Sequence, residues 1–391
     1  MKYKEFTSFS ACCMILTAIG IDIMLPAFAE IRKHFSLEES TSGTPYIVTV
    51  FFAGQALQLV FGPLSDCYGR LPILRIGFAL YIVAGLAAAL SNSMPVMLVW
   101  RFVGGAGASA VFMTTIAVVR DHFSGDKMAR TMSLIFTIFL FTPVVAPFLG
   151  AAILTWTSWK FVFLTPPIFA VIVAIWSLRM KESLPPSQHI KLNSRSLAIS
   201  FSQVLSNRNF CRYTAVTTLL FGGISAYVSN SEFLVGSIYR KPGQFSVIFA
   251  TVGIVMAAGA LVNTWLAGQY GSRRVIRALI LVYTIIAGIL FLVTYLVPQP
   301  PIVAFFTGIA LLLGINMSIE PNSSALAMKA VGEAAGTASS IYGTTFFFVG
   351  ALIGSAISFF LKDTLLVMPL GYLLIGMFCT ILVLTASEQE T

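Results

Sequence analysis

Charge is what this 391-residue sequence has least of. Asp, Glu, Lys and Arg make up 10% of it, against about 25% in a typical soluble domain. That scarcity excludes a disordered chain and an ordinary cytosolic enzyme. Histidine occurs three times, and the five cysteines show no Cys-x-x-Cys spacing or His/Cys cluster. No metal, cofactor or disulfide framework is therefore expected. Cys12, Cys13, Cys211 and Cys379 lie in or beside apolar runs and read as packing, whereas Cys67 reads as an exposed loop thiol. No Walker-type phosphate loop is present, so ATP is not the energy source from this chain. No nucleophile and base pair up at membrane depth, and the chain is not read as an enzyme.

What is abundant is apolar sequence, at 57% of residues. A membrane-crossing helix takes about 20 mostly apolar residues. Runs broken by charge or by Pro/Gly clusters predict twelve, near Thr7–Ile31, Tyr46–Leu64, Ile73–Leu90, Pro95–Val119, Thr131–Leu154, Phe161–Leu178, Tyr213–Ile238, Phe245–Ala267, Val275–Val297, Ile302–Glu320, Gly336–Leu361 and Leu365–Leu384. The expected fold is an all-α polytopic membrane protein, with twelve transmembrane helices in two pseudo-symmetric six-helix bundles. The bundles are residues 1–180 and 212–391, joined by a basic cytoplasmic linker at 181–211 that contains Pro185-Pro186. A short repeat supports the division: Tyr68-Gly69-Arg70 precedes the third span and Tyr270-Gly271-Ser272 the ninth.

Lys2, Lys4, an apolar run and Ala27-Phe28-Ala29 imitate a signal peptide. The length of that run, with Asp22 and Pro26 inside it, indicates that the first span is retained. The surplus of base, net +9, falls in short connections and reads as topology rather than nucleic-acid binding. With the N-terminus inside, seventeen Lys and Arg fall in inner connections and six in outer ones, while Arg101 stays within a span. The bias places both termini in the cytoplasm.

The stretch Gly62-Pro63-Leu64-Ser65-Asp66-Cys67-Tyr68-Gly69-Arg70 resembles motif A of the major facilitator superfamily, between spans two and three. Arg101 to Gly107 resembles motif B, Ala146 to Ala151 resembles the antiporter motif C, and Asp22-Ile23-Met24-Leu25-Pro26 resembles the first span of twelve-span drug:proton antiporters. Gln58, Val119-Arg120-Asp121 and Gly336-Thr337-Ala338 are similar to the bicyclomycin and chloramphenicol resistance branch, Bcr/CflA. The sequence departs from the pattern where Cys67 and Leu71 replace basic residues, and at Glu232 and Glu320. The resemblance implies that Asp22 and Arg101 serve proton coupling.

The residues themselves give their own reading. An ionised side chain at mid-membrane costs about 2.5–3.5 kcal/mol, so Asp22 and Arg101 each need a reason to be there. Counted along their spans, the two lie at similar depths, roughly 22 and 21 Å from the inner side. They form either a fixed ion pair that orients helices or a carboxylate balanced between a cation and desolvation, able to exchange a proton. Gly62, Asp66, Gly69 and Arg70 make a gating turn or a plain capped one; Gly69 permits the tight loop and Arg70 can pair with Asp66. On the same inner side, Asp66 can meet the helix start at Gly336-Thr337. Gln58, Asn230, Glu232, Asn316, Glu320 and Tyr342 are substrate-cavity candidates, with interfacial acids and lipid-facing packing as the bland alternatives. Gly105, Gly107 and Gly150 allow close helix packing, and Pro143 and Pro147 bend the fifth span.

The function expected is secondary active export of a small, drug-like organic molecule in exchange for protons, by a monomer in the bilayer. Export of an endogenous polar metabolite such as a siderophore is the alternative; symport or import is a further one. A channel would show rings of polar residues rather than one buried acid–base pair. A reporter active only in the periplasm, fused after Thr391, should stay silent. Strong activity there would overturn the topology.

Overall fold

The computed structural model describes residues 1–37, 43–189, 194–331, 335–361 and 364–385. Lys191 and Lys362 of the charge count, residues 190–193 of the linker and the end of the chain at Thr391 lie outside these. Every described element is helical, as lipid demands, because a helix satisfies its backbone N–H and C=O groups within one segment. The chain divides into two compact units, Met1–Leu37 with Tyr46–Ala198, and one built mainly on Ile199–Thr391.

In the first unit α1 runs Tyr3–His34 in three pieces: Tyr3–Asp22, a 3₁₀ turn at Leu25–Ala27, and Phe28–His34. The break follows from Pro26, which has no N–H to return to the Asp22 carbonyl. Next come α2 in two pieces, Pro45–Gln55 and Gln58–Tyr68, then α3 (Arg70–Ala89), α4 (Met94–His122), α5 (Gly125–Trp156) and α6 (Trp159–Ser177). Two of these helices outrun their apolar sequences. The second span ends at Tyr68 rather than Leu64, which places Cys67 half-buried in a helix rather than in a loop. α5 is unbroken across Pro143 and Pro147.

A linker helix, Ser194–Ser206, leads into the second unit. There α7 is Arg208–Phe233, continued by a π turn at Leu234–Ile238. It is followed by α8 (Phe245–Tyr270), α9 (Ser272–Leu296), α10 (Ile302–Lys329), α11 (Ala335–Thr344, a π turn at Thr345–Val349, and Gly350–Phe360) and α12 (Val367–Leu384). The sequence reading stops the tenth span at Glu320; the helix instead continues through Pro321 to Lys329. One proline removes one backbone bond, and neighbouring side chains tie the stretch down. Ser318 Oγ donates to the Gly259 carbonyl at 2.7 Å, and Asn322 Nδ2 reaches Asn263 Oδ1 at 2.5 Å. Glu320 is therefore inside a helix, not at its end.

Eleven helices among the described residues are long and apolar enough to cross a bilayer. The twelfth, α7, is long enough but polar, with Thr217, Ser225, Ser229, Asn230 and Glu232 all buried. Nineteen of its 26 residues are buried, against six of the 26 in α8, so the polar helix is the one shielded from lipid.

Both units use one packing scheme. In the first, α1 packs on α4, α5 and α6, α2 on α4, and α3 on α4 and α6; adding six to each number gives the packing of the second. The closest approaches fall at glycines. A Cβ on Gly105 would lie 3.2 Å from the Cα of Gly54 and overlap the Phe51 carbonyl, and one on Gly259 would lie 3.1 Å from the Cα of Gly314. Gly105→Val should therefore cost about 1–3 kcal/mol, read as a lower melting temperature of the purified protein. Gly268→Val, where an added Cβ meets nothing within 4 Å, should melt like the parent; equal melting of all three would remove the packing argument.

Candidate functional site

Among the described residues, most of the polar candidate residues fall in three groupings, two in the first unit and one in the second. The first centres on Arg101, in α4, which is 6% exposed. Its Nη2 donates to the Gly20 carbonyl at 2.9 Å and its Nε to the Ile47 carbonyl at 3.1 Å. The guanidinium also lies 4.3 Å from the centre of the Phe51 ring and 5.9 Å from that of Phe163. Gly20 can accept because the Met24 N–H, which an unbroken helix would send to it, bonds Ile21 instead. A cavity of about 20 Å³, bounded by Gly20, Phe51, Tyr81, Arg101 and Phe163, has room for a single water.

Asp22 is 5% exposed, on the last turn before the break in α1. Of the two readings, a fixed ion pair with Arg101 is not formed: among the described residues Asp22 makes no salt bridge and accepts no hydrogen bond. Depth matches, but Gly20 and Asp22 are two residues apart, about 200° around the helix, so the backbone at Gly20 meets α4. On α2, Gln58 and Gln55 flank the Ala56-Leu57 break. Both are buried, and Gln58 Nε2 and both amide atoms of Gln55 have no partner.

The second grouping joins one end of α2, α3 and α4 to the segment after α6. Arg70 pairs with Asp66, with Asp121 Oδ2 at 3.1 Å, and with Ser65 Oγ at 2.8 Å, which in turn donates to the Gly62 carbonyl at 2.9 Å. Glu182 accepts from the backbone N–H groups of Arg70 and Leu71 at 2.9 and 3.0 Å and so caps the start of α3. Gly69 makes the turn possible with φ of +96°, and a Cβ there would sit 2.9 Å from Glu182 Oε2. Sequence reasoning named Asp66, Gly69 and Arg70 but missed Glu182, an isolated acid with no motif around it. Asp121 was noticed only as a mark of resemblance, and Gln55 was not singled out.

The third grouping is in the second unit. Tyr342 on α11 donates its hydroxyl to Glu320 Oε1 on α10 at 2.9 Å. Asn316, one turn before Glu320, donates to the Leu220 carbonyl of α7 at 2.8 Å, and its Oδ1 is unpartnered. Asn230 and Glu232 stand apart from these three. Asn230 Nδ2 reaches Ser358 Oγ of α11 at 2.6 Å, and Glu232, 5% exposed, lies beside Gly236 in the π turn. Gly107 and Gly150 sit where helices touch: added Cβ atoms would press on the backbone of Tyr81 and of Ile23.

The Major Facilitator Superfamily model matches residues 10–355. A bicyclomycin resistance protein homolog of Haemophilus influenzae is 28% identical over 356 residues, covering 90% of this chain and 88% of that protein. A chloramphenicol resistance protein of Pseudomonas aeruginosa is 28% identical, covering 87% and 80%. Among solved structures, the xylose transporter XylE from E. coli, partially occluded and inward open, aligns with a TM-score of 0.76 over 97% of both chains at 13% identity, a likeness of fold.

Partial burial of Glu182 raises its pKa, but the N–H groups of Leu184, Leu71, Arg70 and Ser183 outweigh that and hold it below its ordinary 4.5. A depressed value means that the clamp is complete above the ordinary value and is lost as pH falls through the lowered one. Glu182→Gln should speed amide exchange at Arg70 and Leu71 at neutral pH and abolish its acid dependence. Unchanged protection would show that the start of α3 does not depend on this carboxylate.

Proposed function

Because this chain belongs to the Major Facilitator Superfamily and is a transporter rather than an enzyme, we propose that it is a proton-driven exporter of small, drug-like organic molecules. The bicyclomycin and chloramphenicol resistance relatives support the substrate class. The observation that carries the coupling is Asp22: a carboxyl buried at the break in α1 with no ion-pair or hydrogen-bond partner among the described residues, two residues from the carbonyl that holds Arg101. A carboxyl so placed can take a proton from one side of the membrane and release it to the other, as the helix break and the Arg101 anchor change its access to water. Arg101 holds the broken end of α1 against α4 and supplies the neighbouring positive charge. Proton entry and substrate exit then alternate, with the site open to one side at a time.

In this reading both termini face the cytoplasm of a bacterial inner membrane, and the protein works as a monomer. The Asp66–Arg70–Asp121 network, clamped by Glu182, then faces the cytoplasm and favours one state of the cycle. Its ion pairs and hydrogen bonds tie three helices and the segment after α6 at a single level. Asn316, Glu320 and Tyr342 are the substrate-contacting groups of the second unit; Gln58 is that of the first.

Asp22→Asn preserves shape but cannot exchange a proton. Reconstituted in vesicles with an imposed pH gradient, the parent should move chloramphenicol against its gradient, whereas Asp22→Asn should bind it and move none above background. Proton release on substrate binding should vanish with it. Gradient-driven transport by Asp22→Asn at the parental rate would remove Asp22 from the coupling.

A further inference from the structure

Glu320 is an acid that meets no Lys or Arg in an ion pair among the described residues. Its hydrogen-bond partner is the Tyr342 hydroxyl at 2.9 Å. Around it the second unit gathers groups of one electrical character. Asn316, 1% exposed, has its Nδ2 fixed on the Leu220 carbonyl, so its unpartnered Oδ1 is an acceptor. Phe221 lies 4.3 Å from Phe346 and 5.2 Å from Phe347, centre to centre, and Tyr342 stacks on Phe346 at 5.9 Å with 13° between the planes. Carboxylate, amide oxygen and ring faces all attract positive charge. The Tyr342 hydroxyl donates to Glu320 and so is not free to donate to an anion. Glu320, Tyr342, Phe346 and Phe347 are each half-buried, which leaves the cluster within reach of a ligand.

The spacing explains how the cluster forms. Asn316 and Glu320 are four apart on α10, and so are Tyr342 and Phe346 on α11, so each pair shares a helix face. Phe221 is next to Leu220, whose carbonyl holds Asn316. A small metal ion would need six or more oxygen ligands or its own water shell; three aromatic rings supply neither. An organic cation, whose charge is spread over an apolar body, gains from both the carboxylate and the rings.

We propose that Glu320, Asn316, Tyr342 and the Phe221–Phe346–Phe347 rings form a subsite for the positively charged group of an organic cation, such as a quaternary ammonium or phosphonium. This rests on the exporter reading above and names one substrate class for it. Glu320 supplies the charge, Tyr342 fixes the carboxylate's orientation, and the rings accept the apolar body.

Purified full-length protein in lipid nanodiscs, titrated with tetraphenylphosphonium and separately with uncharged chloramphenicol, tests the subsite without transport. The parent should bind both. Glu320→Gln should weaken phosphonium binding about tenfold or more, as loss of one charge-assisted contact would, and weaken chloramphenicol binding by a clearly smaller factor; an equal loss for both ligands overturns the charge-selective subsite. Glu320→Asp should retain most of the phosphonium affinity. Phe346→Leu removes a ring and no polar group, and it too should weaken the phosphonium selectively; it carries the comparison should Glu320→Gln misfold. Equal phosphonium affinity in the parent and these variants overturns the subsite, as does a parent that binds chloramphenicol but no phosphonium. Failure of the parent to transport either compound under a pH gradient, with binding intact, overturns the exporter reading and leaves the subsite standing.

Discussion

A charged side chain inside a bilayer must find its partners within the protein, and Arg101 shows how much of the first unit follows from that. Its two acceptors are backbone carbonyls on two other helices, Gly20 of α1 and Ile47 of α2. A helix interior rarely offers a carbonyl free of its own ladder. α1 does so because its ladder is interrupted after Asp22, where Met24 turns to Ile21 and Pro26 has no N–H to give. α4 comes close enough to α2 because Gly54 and Gly105 face each other without side chains. Proline, glycine pair and arginine therefore act as one device, and the buried Asp22 lies at the end of the segment that it anchors.

The two units repeat the same helix contacts but distribute polarity differently. Gly105 and Gly314 mark equivalent points on α4 and α10. Arg101 lies four residues before the first, and Glu320 six residues after the second. Along equivalent helices these charges are ten residues apart in level, about 15 Å. The turns before α3 and α9 both place glycine at positive φ, +96° at Gly69 and +77° at Gly271. A carboxylate embraces the first, whereas nothing lies within 4 Å of a Cβ added at the second. The repeat therefore preserves the backbone device and loses the acidic clamp. The first unit holds a buried cation and an ion-pair network; the second holds an acid, Glu320, that bonds Tyr342 and makes no ion pair among the described residues.

Much of this was legible in the sequence because membrane helices announce themselves by length and hydropathy. Most span positions match to within a few residues, and the Asp66–Arg70 pair could be anticipated because the two charges flank the tight turn at Gly69. The misses have specific causes. Asp22 and Arg101 could be matched in depth by counting, but the rotation of one helix against another is not a one-dimensional property, and a backbone carbonyl has no signature in the sequence. Glu320-Pro321 looked like a terminus because proline usually ends helices in water. Within a packed bundle, Ser318 and Asn322 supply contacts that hold the helix together. Glu182 escaped notice because capping N–H groups from more than a hundred residues upstream leaves no local pattern.

The polarity of α7 is the feature that the membrane environment makes hardest to accommodate. Thr214, Thr218, Ser225 and Ser229 are buried on it with hydroxyls that have no partner, and an unsatisfied buried polar group costs about 1–3 kcal/mol. Core packing alone does not call for such a helix, because Ala, Leu and Val would pack as well at no such cost. α8 and α9 of the same unit, which face outward over much of their length, are made that way. The cost is concentrated on the helix that contacts α10, α11 and α12, and thus on the helix that borders Glu320, Asn316 and Tyr342. Groups left without partners inside the protein are groups that a bound solute can satisfy. A transporter has to bind its cargo without holding it, and many weak polar contacts spread along one helix suit that better than a few strong ones.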